Sequence, residues 1–332
     1  MFSMSDSSKK ADHQMPLLEI DDLSVCFFSP TKTVHAVRDV GLTLRAGEIL
    51  GLVGESGSGK TVTALSILRL VRSPGKITRG RIRFKGEDLL TKSRQELRQI
   101  RGNRISMIFQ DPATSLNPVL PIGEQVAESL VYHGKMDKRE ALRKAEELFE
   151  IVRIPNASKR IKEYPHQLSG GMKQRVMIAM ALACNPELLI ADEPTTALDV
   201  TIQSQILDLL KDVRDRYKTA ILLITHDMGV VAEMTERMAV MYGGEILSMG
   251  DTLSMLTKPC HPYILALLDA IPKLDEDKER LDAIPGTVPS LTRIPQGCIF
   301  GPRCRYVQPI CLEKRPVLKK TDSVATRCWL EF

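Results

Sequence analysis

The sequence lacks the apolar length needed to cross a bilayer. Uninterrupted apolar runs such as residues 176–184 and 220–224 fall far short of the roughly 20 residues a membrane-crossing helix needs. The opening fifteen residues are polar, mixed in charge and without the apolar core of a secretory signal, so the chain is expected to stay in the cytoplasm. Runs of like charge are missing too. The 46 Lys and Arg are interspersed among 41 Asp and Glu, and a net charge of +5 spread in this way gives nucleic-acid binding little support. A mild positive excess suits work beside anionic lipid, and equally an ordinary solvated surface. No internal repeat and no low-complexity tract is present. Cysteine breaks this pattern of scarcity, with seven residues, four of them after position 297. In a reducing compartment such a set reads as thiols or metal ligands before disulfides.

At 332 residues with 43% hydrophobic content the chain can bury a sizeable core, and its length suits one large domain plus an extension. EILGLVG at residues 48–54 reads as a buried strand, and residues 61–71 as a helix with apolar side chains at helical spacing. Further strands are legible at 105–109, 188–191, 220–225 and 238–241, with helices around 200–216 and 228–236. This alternation predicts an α/β fold with a parallel sheet. Between about 124 and 184 the pattern turns to helices alone, broken by Pro155, Pro165 and the turn at Ser169, which predicts an inserted helical subdomain. A short helix at 263–271 leads into a charged, then proline-rich stretch to residue 295 that reads as a linker. The last 35 or so residues have so few periodic apolar positions that a cross-link or metal is expected to support them.

Between the first parallel strand and its helix lies GESGSGKT: Gly54, Glu55, Ser56, Gly57, Ser58, Gly59, Lys60 and Thr61. It fits G-x-x-x-x-G-K-[ST] in the strand-to-helix setting that pattern requires. Glycines let backbone N–H groups turn toward phosphates, Lys60 reaches the outer phosphates, Thr61 offers a hydroxyl to Mg²⁺, and the helix N-terminus adds its positive end. The strand LLIAD then delivers an acidic pair: Asp192, suited to hold Mg²⁺ through water, and Glu193, suited to orient or deprotonate an attacking water. His226 follows the next apolar strand, where a side chain at the strand's carboxyl end faces the γ-phosphate.

LSGGMKQ at residues 168–174 opens a helix, and here the sequence resembles the ABC-transporter ATPases. Ser169 as cap, with Gly170 and Gly171, makes a second anion-binding corner. The resemblance implies that this corner closes over ATP held by a second subunit, so that each site is shared in a head-to-tail dimer. It also implies a fold: a P-loop NTPase core with an antiparallel β subdomain and an inserted helical subdomain. Gln110 is similar to the Q-loop residue that senses Mg²⁺ and signals to the membrane subunit, and Asp199 to the D-loop aspartate. Phe27 could stack on adenine, and a strand-side core aromatic is the competing reading. The expected layout is a polar tail at 1–15, the ATPase domain at 16–260 with its helical subdomain at about 111–185, and a C-terminal extension at 261–332.

DPATSLNP after Gln110, HPY at residues 261–263 and the extension's cysteines narrow the resemblance to ATP-binding subunits of bacterial dipeptide and oligopeptide importers, a family that includes nickel importers. Cys298, Cys304, Cys311 and Cys328 are spaced C-x₅-C-x₆-C-x₁₆-C, without the C-x-x-C knuckles of ordinary zinc sites. Four thiolates match a [4Fe–4S] cluster, which the resemblance implies in some such subunits, with zinc, free thiols or disulfides as alternatives. Cys26, Cys184 and Cys260 read as buried or incidental thiols. The implied partners are two transmembrane permease subunits, a second and commonly different ATPase chain, and an extracytoplasmic solute-binding protein. The implied location is the cytoplasmic face of the inner membrane. Soluble ABC ATPases acting on ribosomes or DNA are the rival class, but those commonly carry fused cassettes or long coiled coils, and neither is present.

Overall fold

The computed structural model describes residues 15–196, 198–271, 284–321 and 323–330. Nearly all of the expected N-terminal tail and the first part of the expected linker lie outside these residues. The described chain opens with β1 (Leu18–Phe28), β2 (Thr33–Leu44), β3 (Ile49–Val53), α1 (Lys60–Ile67), β4 (Gly75–Phe84), β5 (Glu87–Asp88), α2 (Arg94–Ile100) and β6 (Ile105–Ile108). Helices follow: α3 (Pro112–Ser115), α4 (Ile122–Tyr132), α5 (Lys138–Ile151), α6 (Ala157–Arg160) and α7 (Gly170–Leu182). Alternation resumes with β7 (Leu188–Asp192), α8 (Val200–Tyr217), β8 (Ala220–Thr225), α9 (Met228–Met234), β9 (Arg237–Tyr242), β10 (Glu245–Asp251), α10 (Thr252–Thr257) and α11 (Pro262–Asp269). The final elements are α12 (Pro309–Glu313), β11 (Lys319–Lys320) and β12 (Val324–Thr326).

Two sheets result. One is antiparallel, in the order β2-β1-β4-β5; the other has eight strands in the order β11-β12-β10-β9-β3-β8-β7-β6. Strands β9, β3, β8, β7 and β6 are mutually parallel, and β10, β12 and β11 continue the sheet antiparallel. The parallel strands read as unbroken apolar runs because both of their faces are covered. Leu189, Ala191, Ile221 and Leu223 point into a core shared with the helices α4 to α8, whereas Leu188, Ile190, Leu222 and Ile224 point into a core shared with the antiparallel sheet. This sandwiching aligns the carboxyl ends of β3, β7 and β8, where the motif residues emerge.

The extension departs from expectation. Rather than needing a cross-link or metal for a core of its own, it uses the core of the rest of the chain. Ile299, Phe300 and Val324 share one apolar cluster with Val53, Val240, Tyr242 and Tyr263, and β12 pairs with β10. Fully burying one such aromatic side chain contributes roughly 1.5–3 kcal/mol. A charged anchor adds to this: Arg315 donates to Asp39 at 2.9 Å and to the buried Glu245 at 3.0 Å, and Glu245 also faces Arg38 at 2.8 Å. The low apolar periodicity of the segment reflects a partner surface supplied from elsewhere.

Candidate functional site

At the end of β3 the chain enters a loop that only glycine can shape at two points. Gly54 (φ 153°) and Gly59 (φ 103°) have left-handed or neighbouring backbone geometry, and a Cβ would collide with the Met241 carbonyl at the first and the Ala36 carbonyl at the second. Gly59 also caps α1 without a side chain, leaving the first-turn N–H groups without side-chain acceptors. Lys60 is buried, and its Nζ donates to the carbonyls of Gly54 at 2.7 Å and Glu55 at 2.9 Å and to Ser58 Oγ at 3.4 Å. Burial lowers its pKa, opposed by the negative charges of Glu193, Asp192 and Glu55. Ser56 and Gly57 complete the loop's outer turn, and Gly57 (φ 77°) faces open space.

The acidic pair meets this loop from β7. Thr61 Oγ1 donates to Asp192 Oδ1 at 3.2 Å, which brings together two hard oxygen donors of the kind Mg²⁺ takes. Burial pushes the Asp192 carboxyl up to about 6, helped by the charge of Glu193 and opposed by Thr61 and Lys60. Glu193 goes the other way. Burial works to raise it, but Thr196, His226 and Lys60 together outweigh that and hold it below the ordinary carboxylate range. Its Oε2 accepts from Gln110 Nε2 at 3.0 Å and from Thr196 Oγ1 at 2.8 Å, and its Oε1 lies 3.3 Å from His226 Nδ1. Glu193 holds left-handed backbone geometry (φ 48°), uncommon for a residue with a side chain, and its N–H donates to the Ile224 carbonyl on β8 at 2.9 Å. Thr196 was not singled out in the sequence; the signal for it was the hydroxyl pair directly after the DEP turn.

The other motif residues stand apart from this constellation. Ser169 caps α7, accepting from the Met172 N–H at 3.4 Å. Gly171 lies so close to Ile202 of α8 that a Cβ would press on it, while Gly170 faces open space. Among the described residues no hydrogen bond links Ser169, Gly170 or Gly171 to the loop after β3. Asp199 caps α8, accepting from the Ile202 N–H at 2.9 Å. Phe27, at the end of β1, is partly buried against the core and sits so near Gly75 that a Cβ there would touch its ring. The neighbouring Phe28 is 42% exposed.

Comparison with known proteins fits this geometry. Residues 37–196 match the family described as ABC transporter, and residues 249–311 match the family described as oligopeptide/dipeptide transporter, C-terminal region. The chain is 51% identical over 313 residues to a putative peptide import ATP-binding protein of Brucella abortus, covering 94% of each chain. This chain is a member of the peptide-importer ABC ATP-binding family. It is also 50% identical to the oligopeptide transport ATP-binding protein AppD of Bacillus subtilis, over 95% of this chain and 96% of that one. Among solved structures, a dimeric post-hydrolysis ATP-binding cassette, MJ0796 bound to ADP and Pi, superposes with a TM-score of 0.64 at 29% identity, over 71% of this chain and 98% of that one. No described helix is long and apolar enough to cross a membrane.

The iron–sulfur expectation for this importer ATPase is corrected. Cys298, Cys311 and Cys328 are buried and Cys304 is partly so, but among the described residues no group of three or more His, Cys, Asp or Glu side chains is disposed to hold a metal ion. All seven cysteines are free thiols. The physical reason is the extension's apolar setting. Burial pushes the Cys298 thiol up to about 11 and raises Cys304 and Cys328, so these thiols are held in the protonated form. Cys298, Cys304 and Cys311 lie in one apolar cluster with Phe300, Ile299 and Trp329, as small apolar groups.

Proposed function

We propose that this chain is the motor subunit of an importer that draws dipeptides or oligopeptides across the cytoplasmic membrane, with ATP bound at the loop after β3. The carrying observation is the Glu193 carboxylate, held by Gln110, Thr196 and His226 within the same site as the Thr61–Asp192 pair. Loop N–H groups and Lys60 bind the phosphates; Thr61 and Asp192 supply the oxygen set for Mg²⁺, with Gln110 at its edge. When bound, Mg²⁺ neutralises charge on the outer phosphates. Glu193 takes a proton from water as that water's oxygen bonds to the γ-phosphorus. The bond from that phosphorus to the bridging oxygen breaks, releasing ADP and phosphate, while His226 steadies the carboxylate and faces the γ-phosphate. Most of the catalysis is positioning and charge stabilisation.

Ser169, Gly170 and Gly171, which make no hydrogen bond to the chain's own loop among the described residues, are offered to ATP on a second ATPase chain, with Asp199 beside them. The dimeric arrangement named for the MJ0796 cassette supports this reading. The other partners are two permease subunits and an extracytoplasmic solute-binding protein, with no nucleic acid, and the chain sits peripherally on the cytoplasmic face of the inner membrane. Phe27 is the candidate for adenine. The test is transport: a strain carrying Glu193→Gln in this gene should lose uptake of labelled di- or tripeptide while keeping nickel uptake. Loss of nickel uptake alone would transfer the motor to a metal cargo, and retention of both would refute the assignment.

A further inference from the structure

Glu55, the second residue of the nucleotide loop, is held at each of its polar groups. Its carbonyl accepts from Lys60 at 2.9 Å, its N–H donates to the Tyr263 hydroxyl at 3.0 Å, and its carboxylate accepts from Arg303 Nη1 at 2.9 and 3.1 Å. Two of these three holds come from far along the chain, 208 and 248 residues away, and one of them is the tyrosine of the HPY motif.

Arg303 cannot easily swing aside. Its Nε donates to the Pro285 carbonyl at 2.9 Å, its Nη2 to the Ile284 carbonyl at 3.1 Å and its Nη1 to the Tyr242 hydroxyl at 3.2 Å, with only 5% of the side chain exposed. Tyr242, Tyr263 and Phe300 enclose the site, with ring centroids 4.8–5.3 Å apart. A planar guanidinium with every nitrogen engaged is a fixed charge rather than a flexible one. The charge it meets matters to the loop. Glu55 interacts with the Lys60 ammonium, so an unpaired Glu55 carboxylate would compete with phosphate for that lysine and repel the incoming anion.

We propose that Arg303 and Tyr263 are positioning residues for the nucleotide cradle: acting through Glu55, they fix the loop's shape and cancel its one misplaced charge, so the C-terminal extension takes part in ATP binding. The inference rests on the reading of the loop as the ATP site. Breaking a charge-assisted hydrogen bond here should weaken binding about tenfold or more.

The experiment uses the full chain, titrated with Mg·ATP and a fluorescent ATP analogue, with thermal midpoints recorded alongside. Arg303→Met should weaken ATP binding by about tenfold and raise KM while kcat at saturating ATP stays within about twofold. Arg303→Lys should recover part of the affinity. The Glu55→Gln/Arg303→Met double variant should bind more tightly than Arg303→Met alone, because removing the unpaired carboxylate relieves the repulsion that losing Arg303 exposes; penalties that simply multiply would overturn the proposal. If Arg303→Met does not fold, Tyr263→Phe decides: it removes one oxygen, and it should speed amide exchange over residues 55–60 and weaken ATP binding a few-fold. Unchanged exchange and affinity there would sink the clamp. Lys60→Ala separates the two readings. If it loses ATP while Arg303→Met or Tyr263→Phe binds normally, the ATP site stands and the clamp falls; a wild-type chain that does not bind ATP overturns both.

Discussion

The loop after β3 takes its shape from its own glycines and one lysine, whereas residues 284–330 take theirs from side chains of the ATPase core. Met241 and Ala36 carbonyls crowd Gly54 and Gly59, and Lys60 ties the loop's carbonyls together, so the cradle is largely set by local sequence. The extension has no comparable local order. Phe300 packs against both Tyr242 and Tyr263, Arg315 reaches Asp39 and Glu245, and β12 borrows β10 as a pairing partner. Local constraint yields a motif that can be read in eight residues. Borrowed constraint yields a segment that looks unfoldable alone and is ordered in place.

The largest expected effect probes the borrowing. Phe300→Ala should cost about 3–5 kcal/mol, because it empties a site walled by two tyrosines. Calorimetry should show one cooperative transition moved down as a whole; an early, separate transition that spares the rest would mean the extension folds by itself. Next comes the cradle, where substitutions should spare folding and strike turnover. Glu193→Gln should keep the Gln110 and Thr196 contacts in part, lower steady-state ATP hydrolysis by about 10²–10³-fold, and leave the melting curve close to wild type. Turnover within a few-fold of wild type would remove Glu193 from the chemistry.

A smaller effect comes from Asp192. Burial holds its carboxyl at about 6, above the ordinary 3.8, so folding favours the protonated form. The ionised group therefore costs stability above about pH 6, roughly 2–3 kcal/mol, and the cost fades as pH falls toward the unfolded value. Asp192→Asn should raise the nucleotide-free melting point at pH 7.5, lose that gain near pH 4, and abolish Mg²⁺-dependent strengthening of ATP binding. A gain that does not change with pH would show that packing, not charge, is responsible. The smallest effect belongs to Arg315→Met, about 1–2 kcal/mol in urea unfolding, since Glu245 keeps Arg38 as a partner. A larger loss would show that the charged anchor, rather than the aromatic insertion, holds the extension.

The parallel strands β3, β7 and β8 were legible because burial on both faces leaves nothing polar in them, and the nucleotide loop because its glycines, lysine and threonine follow each other in sequence. Glu193 and His226 could be named because each directly follows an apolar strand, and Gln110 through its likeness to the family's Q-loop residue. Their convergence on one carboxylate, with Thr196 joining, is a matter of sheet order β8-β7-β6 that no local pattern encodes. The antiparallel sheet gave little periodic signal of its own, because register shifts in β1 interrupt its alternation. The cysteines misled for a related reason. Their spacing invited a ligand set, but Cys298 and Cys311 lie in one apolar cluster with Tyr242 and Phe300 and serve there as packing groups.

The order of the large sheet carries one more consequence. Without β12, β10 would present an open row of N–H and C=O groups, the template on which other chains pair and aggregate. The strand added by the extension covers that row, and the new boundary is β11, two residues long and made of Lys319 and Lys320. A short, doubly cationic rim is a poor surface for further strand pairing. The extension thus acts as an edge guard for the sheet, and chains cut before residue 319 should be recovered as soluble aggregates rather than as monomers.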